Sequence, residues 1–417
     1  MPIIFTTKCT TKLCLSIALL AGTNVLAQTT NASAPQQALE QSLLKAFIES
    51  AWERSSSRAQ AKAQSNEVQA YQQIASSWRA GPSRLGLAYE ADQSSNRNKD
   101  GSSEYETTLS TPVWGVVQRT ARQEVSSAML QVNDAQLVLR KLEVAGLVRQ
   151  LYWEVAAKSL VCDELRDHIQ HLKQTEELVA KRVKAGDLAP SDLLLAQQEV
   201  RQSEVDLKRA MSQEIAMQAE FAALTGLPWR PNDGLPTVLE ATDLHPKLAN
   251  LKAEITKRQA KLEIPSESAD IAPKFGLLLR QESSDFSPTR QRVGVQLEFP
   301  LGTDVINKPA RYALQTELAG LEAQLRLETE ALSKRIASAE RAIELQREGL
   351  VIAEEHLKLA TGHLALIQKA FDLGDKGLVQ LLRSQASAHS AKISHMQQGV
   401  YLAQAISNLN QIKGLLP

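Results

Sequence analysis

Five residues able to bind a metal or carry a proton crowd one stretch of the chain: Cys162, Asp163, Asp167, His168 and His171. His168 and His171, three apart, share a helix face. A firm metal site needs three or four convergent ligands, and a hydrated helix surface accounts for the same cluster. The reading is therefore no metal site and no cofactor. Elsewhere no Ser-His-Asp set, phosphate loop, HExxH or paired-carboxylate signature occurs, so no catalysis is expected.

The elements around the cluster carry more information. Gly186 to Gly226 returns without a gap as Gly374 to Gly414, an offset of 374 − 186 = 188 residues. In each copy a Gly-Asp turn follows a long heptad-patterned segment and opens a second helix. The offset also brings Ser110 to Trp114 onto Glu298 to Gly302. The chain thus reads as an internal two-fold repeat of strand, strand, long helix, turn and helix.

Each repeat supplies one hairpin of alternating strands. Leu85, Leu87 and Tyr89 oppose Arg84, Gly86, Ala88 and Glu90, and Tyr105, Thr107 and Leu109 continue the apolar face. Phe275, Leu277 and Leu279, then Val293, Val295, Leu297 and Phe299, do the same in the second half. Strands of this length either cross a bilayer when tilted or cover a soluble core with one face. Sustained heptads run from Val117 to Leu142 and from Leu314 to Phe371. They specify long coiled-coil helices, and one spanning Val116 to Lys184 would extend roughly 100 Å.

The bulk composition fits. Lys+Arg and Asp+Glu are both 47, which leaves no basic excess for nucleic acid. Aromatic residues are 4%, lean for several compact cores. Residues 1–27 read as a secretory signal peptide, with Lys8 and Lys12 before a short apolar run and Ala27 at the cleavage site. Its removal takes Cys9 and Cys14 and leaves Cys162 alone, so no internal disulfide is expected.

The expected organisation has a first repeat over 28–227 and a second over 228–417. The first holds N-terminal helices, a β-hairpin at 83–114 and a helical hairpin at 116–226. The second holds a Pro-interrupted connector at 228–272, a β-hairpin at 274–301 and a helical hairpin at 310–414. The fold class is mixed, mainly α. Four strands per chain leave open edges that hydrocarbon does not tolerate, so copies must associate; three would give about twelve strands.

In this order and spacing of parts, with Pro112 and Pro300 after the hairpins and the tip segments AGDLAPSDLL and LGDKGLVQLL, the sequence resembles the TolC-like outer-membrane efflux family. The resemblance covers nearly all of the mature chain. It implies a homotrimer with a transmembrane β-barrel in outer-membrane lipid and an α-barrel in the periplasm. It also implies a periplasmic adaptor, or membrane fusion protein, at the tips and an inner-membrane efflux pump beyond it. Length and a sparse N-terminal region look closest to the heavy-metal, cobalt-zinc-cadmium branch, which works with resistance-nodulation-division pumps. Alternatives are a type I secretion duct, a multidrug efflux channel, or a periplasmic coiled-coil adaptor.

Residue by residue, the resemblance implies a gate tie between Asp192 and Lys376, with Asp372 and Asp375 nearby. The reading as solvated helix-start residues stands beside it. Gln380 and Arg383 occupy positions that are acidic in some relatives, and Thr23 stands where lipidated relatives have Cys. Gly186, Leu188, Ala189, Gly374, Gly377 and Leu378 are the expected adaptor contacts, with turn geometry as the plain alternative. Leu85, Leu87, Tyr89, Phe275, Leu277, Val293, Val295 and Leu297 are the expected lipid-facing residues.

Overall fold

The computed structural model describes residues 33–92, 101–231, 236–240, 244–264, 272–284, 287–301 and 303–417. The signal peptide and most of the loop between the first two strands lie outside them, as do parts of the connector and of the second strand loop. Helices α1 (Ser33–Arg54) and α2 (Ser56–Ser76) precede strands β1 (Arg84–Asp92) and β2 (Ser102–Pro112). Helices α3 (Val116–Ala185), α4 (Pro190–Thr225) and α5 (Pro246–Leu262) follow, then β3 (Lys274–Ser284), β4 (Arg290–Glu298), α6 (Thr303–Asp372) and α7 (Leu378–Ile412).

The two long helices, α3 and α6, have 70 residues each. At 1.5 Å per residue each extends roughly 100 Å, far longer than any compact domain is wide. Both stop where a glycine takes the left-handed conformation, Gly186 at φ 84° and Gly374 at φ 83°. A side chain would make that conformation costly, so glycine fixes the turn. Helix α6 starts at Thr303, ahead of the expected 310, and runs through Pro309. A proline this near an exposed helix start leaves only one carbonyl without its N–H partner, and water can serve it.

Packing follows the heptads. Helix α3 pairs with α4, α6 pairs with α7, and α3 against α7 joins the two hairpins. Of the predicted first seam, Ala121, Val125, Ala128, Val132 and Leu142 are buried, whereas Val117 at the sheet end is exposed. In the second seam Ala339, Ile343, Ala353, Ala360 and Phe371 are buried.

The widest core lies around the middle of α3. Phe47 and Trp52 of α1 meet Val148, Tyr152 and Val155 of α3 and Phe221 of α4. Phe47 and Phe221 pack edge to face at 5.0 Å between ring centroids, a favoured aromatic geometry. Helices α2 and α5 lie on α3 and cover it toward the sheet end, with α5 also touching α6. Ile74 of α2 is exposed.

Candidate functional site

The four strands form one antiparallel sheet in the order β1-β2-β3-β4. Register decides what each face carries. Leu85 pairs with Leu109, Leu109 with Leu277 and Leu277 with Val295, making one apolar row across all four strands. The next row is Leu87, Thr107, Leu279 and Val293, and Thr111, Phe275 and Leu297 form a third. Directly opposed residues share a face, so every lipid-facing residue predicted above falls on a single side.

That side is bare. Leu87 is 75% exposed and Val293 78%, and Leu85, Tyr89, Val295 and Leu297 are exposed as well. Phe275 and Leu277 are less so, at 43% and 44%. Among the described residues no helix covers the rows, and β1 and β4 each leave an edge without a strand partner. An apolar patch of this extent on an isolated chain marks an interaction surface.

The opposite face is polar and charged. Arg280 bonds Glu104 through Nε at 2.6 Å and Glu106 through Nη2 at 2.7 Å, and Lys274 Nζ lies 2.8 Å from Glu298. On the apolar face, Tyr89 and Tyr105 meet near the loop end with centroids 4.7 Å apart and planes tilted by 38°. At the helix end the sheet is anchored by Ala80 donating to the Pro112 carbonyl, Val113 to Pro273 and Trp114 to Trp78. The guanidinium of Arg122 sits over the Trp114 ring at 3.7 Å. One apolar face, one charged face and aromatic residues toward both ends is the pattern of a strand set between lipid and water.

At the far end the turns between α3 and α4 and between α6 and α7 lie side by side over an apolar core of Leu172, Val179, Val200, Phe371 and Leu381. Leu378 belongs to that core at 2% exposure, which corrects the expectation that it is available to a partner. As the first residue of α7 it points inward, beneath the turn. Leu188 is half-buried against the same core, whereas Gly186, Ala189, Gly374 and Gly377 are exposed. Sequence reasoning missed the apolar residues that do face outward here, Leu373 and Leu194. Their signal was their place: Leu373 directly precedes the turn glycine.

The residues expected to form a gate tie lie at the same end of the helical hairpins but are not joined. Within the chain Asp192 and Lys376 make no ion pair among the described residues. Asp192 lies in the first turn of α4 and donates its backbone N–H to the Ala189 carbonyl at 2.9 Å. Lys376 is exposed; Asp372 Oδ1 accepts from Gln368 at 3.1 Å, and the Asp375 amide donates to the Ala370 carbonyl. The tips are tied instead by Arg182, whose Nη1 donates to the Phe371 carbonyl at 2.8 Å while its guanidinium lies 4.9 Å from the Phe371 ring. A basic residue in the last turn of α3 was the visible cue, since helix ends attract cations.

The Cys/His stretch faces three ways. Cys162 is buried, and burial with Glu214 opposite pushes its thiol up to about 11, an inert state. His168 stacks on His389 of α7 with centroids 3.9 Å apart and planes at 9°. Among the described residues no group of three or more His, Cys, Asp or Glu is placed to hold a metal ion.

No helix among the described residues is long and apolar enough to cross a membrane, a statement that leaves the strands untouched. No family model and no curated protein matches the sequence. Solved structures do match the fold. The outer membrane protein VceC of Vibrio cholerae superposes with a TM-score of 0.67 at 16% identity, over 90% of this chain and 97% of that one. The Campylobacter jejuni CmeC outer membrane channel gives 0.66 at 12%, over 97% and 94%. The open-state MtrE outer membrane channel of Neisseria gonorrhoeae gives 0.62 at 15%, over 89% of each chain. With its bare four-stranded sheet above two long helical hairpins, this chain has the fold of bacterial outer-membrane channels.

Proposed function

We propose that this chain is one third of an outer-membrane channel of the TolC-like family, serving a tripartite efflux system. One observation carries the reading: three apolar rows lie open on one face of a sheet whose two edges are unpaired. Water penalises the rows and hydrocarbon penalises the edges, and only a closed barrel with its apolar face in lipid satisfies both. Three copies supply about twelve strands, and the long hairpins then enclose a tube below. Had the chain's own helices covered Leu85 and Val293, a periplasmic adaptor would be the better account.

In this reading the polar sheet face lines the pore, and the tips meet a periplasmic adaptor attached to an inner-membrane resistance-nodulation-division pump. Asp192 and Lys376 form their tie between neighbouring chains rather than within one. The exposed Gly186, Ala189, Gly374 and Gly377 offer low side-chain bulk for docking, with Leu373 and Leu194 beside them. The channel performs no chemistry of its own and draws its energy from the pump. Divalent heavy-metal cations are the proposed cargo, on the resemblance of length and N-terminal region to that branch.

Cell fractionation tests the placement. Heat-modifiable trimers in the outer membrane that conduct in a planar bilayer are expected; soluble monomers would refute the channel. Cargo is tested separately, by comparing zinc, cobalt, cadmium, copper and drug tolerance of a deletion strain. A fall in drug tolerance alone would refute the metal assignment and leave the channel standing.

A further inference from the structure

The ionisable groups that conduction leaves unused meet on the seam between α3 and α7, the contact that joins the two hairpins. There the His168 and His389 rings lie flat on each other at 3.9 Å, both largely buried. His389 Nδ1 is 3.3 Å from Glu164 Oε1, and Glu164, itself 4% exposed, also pairs with Lys392. Lys392 reaches Asp167 at 3.5 Å. One turn along, Gln385 Nε2 donates to Thr175 Oγ1 at 2.9 Å and fastens the same seam.

We propose that the stacked His168 and His389 form an acid-sensitive joint between the two helical hairpins, closed while both rings are neutral and loosened when both are protonated. The inference concerns the seam of a single chain and stands whether or not three chains enclose a pore.

Every charged or titratable neighbour bears on it. Helix α3 presents Glu164, Asp167 and His171, and α7 presents Lys392. The residues α6 adds to the adjoining groove, Thr361, Leu364 and Gln368 among them, carry no charge. A first proton is accommodated on His389, because Glu164 faces it. A second, on His168, meets a like-charged ring at stacking distance, with His168 itself only 8% exposed. Glu164 is already shared between His389 and Lys392, and His171 on the same helix adds repulsion when charged. Burial, then His389 and His171, hold His168 down to about 4, and burial lowers His389 too despite Glu164.

The direction follows from linkage. Separated rings titrate at the ordinary value of 6.5, so separation takes up protons between pH 6.5 and 4 and is favoured as pH falls through that window. Above 6.5 the joint is fully closed. Each proton taken up raises the ratio of separated to closed seam about tenfold per pH unit.

Hydrogen exchange on the full chain, purified in detergent, tests this after correction for the pH dependence of intrinsic exchange. Protection of peptides covering 160–175 and 384–396 is expected to be level above pH 7. It should then drop by tenfold or more per pH unit between 6.5 and 4, about tenfold from the His168 proton and the excess from His389. Peptides from the Ile343 and Ile406 seam, which holds no histidine in its core, serve as the internal control and should stay protected. The double substitution His168→Phe with His389→Phe keeps two stacked rings that cannot take protons and should give a flat profile. If that chain does not assemble, His168→Gln alone, which leaves only His389 to take up a proton, should make the drop shallower than in wild type. A flat wild-type profile, an unaltered drop in either variant, or an equal drop in the control seam would overturn the proposal.

Discussion

Replacing Val293 by arginine separates a lipid-facing sheet from a water-facing one by magnitude alone. Val293 sits near the middle of β4, 78% exposed, in the row Leu87, Thr107, Leu279 and Val293. If that face stayed in water, an arginine there would displace no packing, and an exposed substitution of this kind changes stability by about 0.5 kcal/mol or less. In a bilayer an arginine near the midplane of a barrel costs about 2–4 kcal/mol. That corresponds to roughly 30- to 1,000-fold in the folded fraction per chain. If three chains share one barrel, as proposed, the assembled penalty is about 6–12 kcal/mol before local lipid adjustment. The assay is the yield of heat-modifiable trimer after refolding into phospholipid vesicles, with urea midpoints where trimer forms. Gln296→Arg, on the opposite face across from Gly276, is the control and should refold like wild type. Equal yields for Val293→Arg and wild type would refute the lipid-facing assignment, and with it the argument for a barrel.

Four other outcomes are expected. Phe221→Ala empties a site with no exposure between Phe47 and Tyr152 and should cost about 3–5 kcal/mol in denaturant unfolding. Gly374→Ala meets no neighbouring atom, so its cost of about 1–2 kcal/mol should come from φ 83° alone; Gly374→Asn should cost less, both read as tip protection in hydrogen exchange. Lys247 Nζ, 2.7 Å from Glu328, holds that carboxyl below its usual range, so the pair contributes above pH 4.5 and is lost as pH falls through the lowered value. Glu328→Gln should therefore cost under about 1 kcal/mol at pH 7 and match wild type in strong acid, by denaturant midpoint; a larger loss that persists in acid would point to packing. Asp192→Ala should raise passive conductance in a planar bilayer about fivefold if each tie contributes about 1 kcal/mol, and unchanged conductance would remove the tie.

The sequence by itself determined whatever local periodicity encodes. Apolar residues every three or four positions made α3 and α6 long helices, alternation made the strands, and Gly186 and Gly374 ended the helices because a left-handed turn excludes most side chains. Alternation left open whether the apolar face would be bare or would cover a soluble core, and only the structure shows it bare. The tertiary structure decided everything that depends on a partner far along the chain. Alternation gives each hairpin a face but says nothing about β2 pairing with β3, some 170 residues away, which is what merges two apolar stripes into one. Heptads show that α7 has a seam but not that His389 meets His168, or that Leu378 turns inward at the tip. Arg182 reaching the Phe371 carbonyl likewise needs two helix ends laid side by side. Periodicity belongs to a single element, whereas the choice of partner comes from which faces bury the most surface together, and that is fixed only when the whole chain packs.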